Sequence, residues 1–300
     1  MAERTRDLTR FAWLSIAAAI VTIGLKGFAW WITGSVGLLS DAAESVVNLA
    51  AAVVALIVLK IAAKGPDKNH HWGHTKAEYF SGAIEGMLIF AAAGVIVVTA
   101  VQRLIDPQPL ENLGFGLGVS VVASVINGAV GLVLIRAGRR HRSMTLTADG
   151  KHLMTDVVTS VGVLAGIGLV HLTGWIIFDP IVALVVGVNI MWTGWRLVSE
   201  SSAGLMDVSL PKEENDRIRA ALARFIDGRE VLFHAMRTRE AGHRRFMEVH
   251  ILVPGDWTVK RGHDVITELE NILETEFPGL RVTTHLEPIE DPLSYADMDL

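Results

Sequence analysis

Two pairs of polar residues stand inside long apolar segments of the sequence. The segment SVGLLSDAAESVVNLAAAVVAL carries Glu44 and Asn48, and the segment MTLTADGKHLMTDVVTS carries His152 and Asp156. Each pair is spaced four residues apart, so both members of a pair occupy one face of a helix. Carboxylate, amide and imidazole groups hold divalent transition metals such as Zn²⁺, and four of them complete a tetrahedral site. We therefore predict that the two pairs form one metal site.

These four side chains have a high energetic cost inside a membrane. A charged side chain at the bilayer centre costs about 2.5–3.5 kcal/mol on insertion scales. Hydrogen bonding between helices is the alternative role for such residues, and for Asn48 alone it is an equally good interpretation. For the whole set the metal site is favoured, because two carboxylates and a histidine are too costly for helix packing alone.

Two further groups of candidate ligands lie outside the apolar segments. The loop PDKNHHWGHTKAE contains Asp67, His70 and His74, and a cluster of this kind binds metal in a polar loop. The alternative is a solvated loop whose histidines do not bind metal. The second group lies in the C-terminal third of the chain and comprises His234, His250, His263, His285 and Glu287. Ordinary surface histidines are the alternative for that group.

The apolar segments predict six membrane-spanning helices. The chain is 51% hydrophobic and 20% charged, too apolar for a soluble domain and too charged for a protein entirely within lipid. Because a bilayer core needs about 20 apolar residues per helix, we place the spans at residues 11–33, 36–60, 79–104, 113–136, 146–173 and 176–199. Basic residues concentrate before the first span and in the loops after the second and fourth, which predicts that both termini are cytoplasmic. The second and fifth spans then cross the bilayer in opposite directions. Both pairs, Glu44/Asn48 and His152/Asp156, come to lie near the midplane.

The residues after the last span predict a soluble domain. Alternating and helical patterns follow one another in the order αββαβ, with strands near His234, His250 and His285. The predicted fold class is an all-α six-helix transmembrane bundle followed by a small α+β (αββαβ, ferredoxin-like) cytoplasmic C-terminal domain. The predicted domains are a cytoplasmic tail at 1–10, the transmembrane domain at 11–206, a metal-binding dimerisation domain at 207–292 and a tail at 293–300.

Composition and motifs exclude several classes of function. The chain has no cysteine, so a metal must be held by nitrogen and oxygen, which disfavours Cu(I). A net charge of −5 without a basic stripe argues against nucleic acid as a partner. A membrane metalloenzyme would need an open metal position with a general base, often in an H-E-x-x-H helix, and that motif does not occur in the sequence. We therefore expect no enzyme activity and no organic cofactor.

The segments GLLSDAAESVVN, NHHWGHTKAEYFSG and HLMTDVVTS resemble those of the cation diffusion facilitator family. The resemblance covers about residues 10–290 and implies a homodimeric antiporter in the lipid bilayer that exports Zn²⁺ or related ions in exchange for protons. In a bacterium it would lie in the plasma (inner) membrane.

The resemblance also implies roles for residues outside the membrane. Asp67, His70 and His74 match a second, regulatory metal site, and the C-terminal histidines match a two-metal site that often carries Asp where this chain has Glu287. It further implies an ion pair between Lys76 and Asp207 that joins the two domains.

One departure from the family pattern bears on the choice of metal. Zinc transporters of the family usually carry Asp or His, then Asp, where this chain has Glu44 and Asn48. The site therefore has one fewer negative charge. Zn²⁺ is the first choice, and Fe²⁺, Co²⁺, Ni²⁺ or Mn²⁺ as main substrate is the alternative. A metal-sensing membrane receptor that does not transport is a second alternative, and a channel, with flux independent of a proton gradient, is a third.

Overall fold

The structure, a computed structural model, describes residues 8–33, 36–106, 114–175 and 177–296. It gives only the backbone of residues 32–33, 36–44, 47, 114–117, 120, 163–164, 167–168, 170–171 and 179. Most of the predicted N-terminal tail and the end of the predicted C-terminal tail lie outside the described residues. The chain forms two compact units, Met1–Ser202 and Ala203–Leu300.

Long helices build the first unit, as the hydrophobic segments predict. Within the described residues they are α1 (Thr9–Thr33), α2 (Val36–Ala62), α3 (Ala77–Ile105), α4 (Gly114–His141), α5 (Met144–Thr173) and α6 (Phe178–Leu205). α4 and α6 continue past the predicted ends at 136 and 199 because a helix need not stop where its apolar segment meets the polar interface. Long apolar stretches able to cross a bilayer occur in four of these helices, at Thr9–Trp31, Ala77–Ile105, Val121–His141 and Pro180–Leu205.

α5 lies at the centre of this unit. Leu146 and Leu153 of α5 share one buried apolar cluster with residues of α1, α2 and α4. Ala148 of the same helix belongs to a second cluster, with Ile89 of α3 and Leu197 of α6. Because α5 is surrounded by other helices, its polar residues can face protein instead of lipid.

Glycines allow α4 and α5 to approach closely. A Cβ added at Gly150 of α5 would lie 2.9 Å from the Gly131 carbonyl oxygen of α4, and one at Gly138 would lie 2.8 Å from the Thr147 backbone nitrogen. Such contacts exclude larger residues and are typical of helix packing in membranes. They hold the middle of α4 against the segment of α5 that carries the predicted ligands.

The second unit is an α+β domain with the predicted αββαβ order. Its elements are α7 (Lys212–Ile226), β1 (Leu232–Ala241), β2 (Arg244–Val253), α8 (Val259–Glu276) and β3 (Leu280–Pro288), followed by a 3₁₀ turn at Pro292–Tyr295. The strand order is β1-β2-β3, with β1 and β2 antiparallel and β2 and β3 parallel, and α8 makes the crossover. The predicted fold class is confirmed.

The sheet of this domain has one face covered by the helices. Val249 and Ile251 of β2 are buried with Leu222 of α7 and with Leu269 and Leu273 of α8. Successive residues of a strand point to opposite faces. His250, between the two buried residues of β2, therefore points to the face that the helices leave open.

Candidate metal centres

The membrane unit brings three of the four predicted transport-site residues into contact. Asn48 of α2 lies between His152 and Asp156 of α5. Its Oδ1 is 2.7 Å from His152 Nε2, and its Nδ2 donates a hydrogen bond of 2.5 Å to Asp156 Oδ2. An amide oxygen only accepts, so His152 Nε2 is the donor in the first contact. Asn48 is 4% exposed and His152 is 7% exposed, whereas Asp156 is partly buried.

Glu44 is the fourth predicted ligand. It lies on α2 one turn before Asn48, so the helix places both residues on one face. The side chain of Glu44 lies outside the described residues. Its part in the site stays a prediction.

A residue that the sequence analysis missed also contacts this cluster. Asn127 of α4 is 3% exposed, and its Nδ2 donates a hydrogen bond of 3.2 Å to Asp156 Oδ2. Its Oδ1 is buried and has no hydrogen-bond partner among the described residues. The signal in the sequence was a single Asn within the apolar segment SVVASVINGAVGLVL. An isolated amide is common between packed helices, so it did not stand out.

Three buried carboxylates of α3 and α5 were also missed. Glu78 accepts from the Ser143 hydroxyl and, at 3.4 Å, from the Thr145 backbone N–H at the start of α5. A carboxylate in this position stabilises the positive end of a helix. Deeper in the bundle, Glu85 accepts from Ser81 (Oγ to Oε1, 3.0 Å), and Asp149 accepts from Ser15 (Oγ to Oδ1, 3.1 Å).

The loop between α2 and α3 brings its three predicted ligands together. Asp67 Oδ1 is 3.3 Å from His70 Nδ1, and Asp67 Oδ2 is 3.4 Å from His74 Nε2. One ligand atom from each of the three residues lies within 4.8 Å of the others. A metal ion would need only small side-chain movements to be held by all three.

The loop backbone keeps Asp67 ionised. The N–H groups of Asn69 and His70 each donate a 2.8 Å hydrogen bond to Asp67 Oδ1. These bonds lower the pKa of the Asp67 carboxyl below its usual value, the Asn69 bond having the larger effect. The carboxylate is therefore charged and able to act as a ligand.

The C-terminal domain aligns three histidines across its sheet. His234 pairs with His250 in the β1–β2 register, and His250 pairs with His285 in the β2–β3 register. Glu287 reaches all three side chains. Its Oε2 is 2.9 Å from His234 Nε2 and 3.3 Å from His250 Nδ1, and its Oε1 is 3.5 Å from His285 Nε2. The ligand atoms of His234, His250 and Glu287 lie within 4.8 Å of one another, and the side chain of His285 is 63% exposed at the edge of the group.

The ligand role of His263 and the ion pair between Lys76 and Asp207 both stay predictions. His263 is exposed on α8, outside the ligand groups found in the part of the chain that the structure describes. Asp207 pairs with Arg239 of its own unit, with 3.0 Å between Oδ1 and Nη1. The predicted ion pair of Asp207 with Lys76 would join the two units.

These features define a class of protein. A helical membrane bundle that buries imidazole, carboxylate and amide groups between its helices is typical of proteins that move cations across a bilayer. The nitrogen and oxygen clusters in the loop and in the C-terminal domain are ligand types suited to divalent transition metals.

Comparison with known proteins identifies the family. Residues 12–206 match the cation efflux transmembrane domain, and residues 210–289 match the cation efflux protein cytoplasmic domain. The uncharacterized transporter sll1263 of Synechocystis sp. is 49% identical over 289 residues, 96% of this chain and 93% of that protein. The cation-efflux pump FieF of Klebsiella pneumoniae is 30% identical over 283 residues, 94% of this chain and 93% of that protein. The zinc form of CzrB, a proposed zinc transporter of solved structure, is 46% identical over 28% of this chain and 93% of that chain, with a TM-score of 0.27.

The chain therefore belongs to the cation efflux family, also called the cation diffusion facilitator family. It is a membrane transporter of divalent metal cations and not an enzyme.

Proposed function

We propose that this protein exports divalent transition-metal cations, with Zn²⁺ as the main substrate, in exchange for protons and by alternating access. The observation that carries the proposal is the buried contact of Asn48 with both His152 and Asp156. Groups of this kind are costly inside a bilayer, and where they occur they mark the paths of ions across it. The proposed transport site comprises Glu44, Asn48, His152 and Asp156.

The hydrogen bonds of this cluster suggest how metal and protons exclude each other. His152 Nε2 carries the proton that it donates to Asn48 Oδ1. That proton has to leave Nε2 before the nitrogen can coordinate a metal, because ligands bind in their deprotonated form. Metal from the cytoplasm thus displaces protons from the site, and protons from outside displace the metal after the helices rock to the outward-facing state.

The donor set accepts several divalent ions. One imidazole, two carboxylates and an amide suit Zn²⁺ in tetrahedral geometry. They also bind Fe²⁺, Co²⁺, Ni²⁺ and Mn²⁺, since nitrogen and oxygen ligands hold all of these ions. These four ions remain the alternative substrates in the proposal.

We assign a regulatory role to the cytoplasmic clusters. Metal held by Asp67, His70 and His74 would report a cytoplasmic excess, and so would metal held in the C-terminal domain. The proposed C-terminal ligands are His234, His250, His263, His285 and Glu287. Binding there would bias the rocking equilibrium through a homodimer that the C-terminal domains stabilise. An ion pair between Lys76 and Asp207 would couple the two domains.

The proposed topology places both termini in the cytoplasm and, in a bacterium, the protein in the inner membrane. The proposed domain limits are 1–10 for the first tail, 11–206 for the transport domain, 207–292 for the metal-binding dimerisation domain and 293–300 for the last tail. With this orientation the loop cluster and the C-terminal cluster lie on the side from which metal is exported.

Uptake into proteoliposomes, measured metal by metal with internal pH recorded at the same time, tests the proposal. We expect metal flux coupled to an opposite proton flux, and loss of both in Asp156→Ala. Asp256→Ala, which removes an exposed carboxylate of the C-terminal domain, is the matched control and should transport normally. Metal flux without a pH change would indicate a channel, and binding without flux would indicate a receptor. Full activity of Asp156→Ala would remove this site from the mechanism.

A further inference from the structure

Asn127 brings a third helix to the predicted transport site. It lies on α4, whereas the predicted ligands lie on α2 and α5. Its side-chain amide contacts Asp156 directly, with 3.2 Å between Nδ2 and Oδ2. Asp156 Oδ2 therefore accepts from two amides, those of Asn48 and Asn127.

The amide oxygen of Asn127 has an unused capacity to bind. Oδ1 is buried and lacks a hydrogen-bond partner within the described part of the chain. Buried polar atoms in native proteins are almost always paired, so an unpaired one needs a reason such as a ligand. Oδ1 and Nδ2 end the same planar amide, so Oδ1 lies at the end of the side chain that touches Asp156.

The position of this amide is fixed by tight helix packing. Gly131 lies one turn after Asn127 and therefore on the same face of α4. A Cβ added at Gly131 would be 3.1 Å from the Gly150 carbonyl oxygen of α5. One added at Gly128 would be 3.5 Å from Val157 Cγ2, next to Asp156. The close approach of the α4 and α5 backbones at Gly131 thus holds Asn127 beside Asp156.

We propose that Asn127 Oδ1 is a fifth ligand of the transported cation and extends the site beyond tetrahedral coordination. Rotation about the terminal bond of Asn127 exchanges its oxygen and nitrogen positions, which have nearly the same shape. The loaded site would then comprise one imidazole nitrogen and four oxygen-bearing groups. Oxygen-rich sites with more than four ligands suit Mn²⁺, whereas Zn²⁺ needs only four ligands. The inference deepens the proposed function and rests on it.

A role as hydrogen-bond donor alone makes different predictions for two substitutions. Asn127→Leu removes both the donor and the oxygen, while Asn127→Asp removes the donor and keeps an oxygen that coordinates metal. If Asn127 is a ligand, Asn127→Leu weakens Mn²⁺ and Co²⁺ binding about tenfold or more and Zn²⁺ binding by less than about threefold, and Asn127→Asp still binds Mn²⁺. If Asn127 only orients Asp156, Asn127→Leu weakens all three ions equally, and Asn127→Asp loses binding because it repels Asp156.

The experiment uses the full chain in detergent, in a background that carries His70→Ala and His234→Ala to weaken the two cytoplasmic clusters. Metal titrations are combined with the visible absorption of bound Co²⁺, whose bands are weak in five- or six-coordinate sites and strong in tetrahedral ones. We expect weak bands in the background protein and strong bands in Asn127→Leu. Asn189→Leu, at an exposed position of α6, is the matched control for the change of residue type and should keep the weak bands.

Two results would overturn the assignment of Asn127. One is an unchanged Co²⁺ spectrum in Asn127→Leu, and the other is an equal loss of Mn²⁺ and Zn²⁺ binding in that variant. If Asn127→Leu does not fold, loss of Mn²⁺ binding in folded Asn127→Asp counts against the assignment, and retention supports it. Asp156→Ala in the same background separates this inference from the proposed function. If Asp156→Ala still binds Co²⁺ with the background spectrum, the transport site itself is wrong.

Discussion

The side-chain amide of Asn48 makes two hydrogen bonds that a carboxylate in its place could not make together. Its amide accepts from His152 and donates to Asp156 at the same time, so it joins an imidazole to a carboxylate. A carboxylate at this position would accept from His152 but would repel Asp156. The amide therefore holds the imidazole and the carboxylate together and gives the proposed site one fewer negative charge.

We expect Asn48→Leu to lower metal transport about tenfold or more, because the proposed amide ligand and both of its hydrogen bonds are lost. Stability should fall by about 1–3 kcal/mol, since the His152 and Asp156 groups are left buried without this partner. Proteoliposome uptake and thermal unfolding in detergent measure the two effects. Asn271→Leu on the exposed face of α8 is the control for the change of residue type. Undiminished uptake by Asn48→Leu would show that Asn48 is only a packing residue.

Polar residues that repeat along one helix are easier to predict as neighbours than polar residues that stand alone. The contact of Asn48 with His152 and Asp156 was predictable because the four-residue spacing and the depth of the two pairs match. Asn127 has no such partner within α4, and its contact with Asp156 depends on how α4 is rotated about its axis. That rotation is fixed by the approach of Gly131 to Gly150, which no pattern in the sequence specifies.

At the scale of the elements, the α4–α5 contact determines the geometry of the site. Ridges of ordinary side chains hold helix axes about 8–10 Å apart, and glycines in the contact allow a closer approach. The carbonyl oxygen of Gly131 lies only 2.9 Å from the position that a Cβ of residue 150 would take. Asn127 and Asp156 are within hydrogen-bond distance because these two helices are so close.

Gly150→Ala should therefore disturb both stability and transport. The added Cβ would lie 2.7 Å from Ile135 Cγ1 and 2.9 Å from the Gly131 carbonyl oxygen, and the latter cannot move without its helix. We expect a loss of about 1–3 kcal/mol of stability from overpacking, with transport reduced because α4 moves away from α5. Gly94→Ala is the matched control. It makes the same glycine-to-alanine change within a helix, but the added Cβ meets no atom within 4 Å. Thermal unfolding and uptake of the two variants should differ clearly; equal behaviour would contradict the packing argument.

The loop cluster is formed by a short segment and was predictable for that reason. Asp67 accepts from backbone N–H groups of its own turn, and this turn brings His70 and His74 to the two carboxylate oxygens. We expect Asp67→Asn to abolish metal binding by the loop while leaving the membrane site able to bind, because the charged ligand is lost and the helices are untouched. Equilibrium dialysis of the full chain should show one bound ion fewer. Asn69→Ala keeps the backbone donor and serves as control; an unchanged metal count in Asp67→Asn would contradict the loop site.

The same types of candidate ligand recur in three separate parts of the molecule. One group lies among the helices, one lies in the loop between α2 and α3, and one crosses the sheet of the C-terminal domain. In the first group Asn48 and His152 are buried between helices, as the proposed transport site requires. The C-terminal group was only partly predictable, because the strand spacing placed the histidines on strands while their common face depended on a register that the sequence leaves open.

The C-terminal group predicts that metal stabilises its domain. Glu287 contacts histidines from β1, β2 and β3, so an ion held there would connect all three strands. An ion that binds only the folded domain stabilises it by about 2.7 kcal/mol at a concentration 100 times its Kd. We expect added Zn²⁺ to slow hydrogen exchange of the sheet amides in the full chain by about a hundredfold at that concentration.

Glu287→Gln should remove most of this protection, because a neutral amide replaces the one anionic ligand of the group. Glu248→Gln is the matched control, an exposed carboxylate on β2 of the same sheet, and it should keep the full Zn²⁺ effect. If exchange slows only at the sheet amides, and if only Glu287→Gln loses this effect, then a metal ion binds across the three strands. Equal protection in the two variants would mean that Zn²⁺ acts elsewhere on the chain, and the C-terminal histidines would then have no part in sensing cytoplasmic metal.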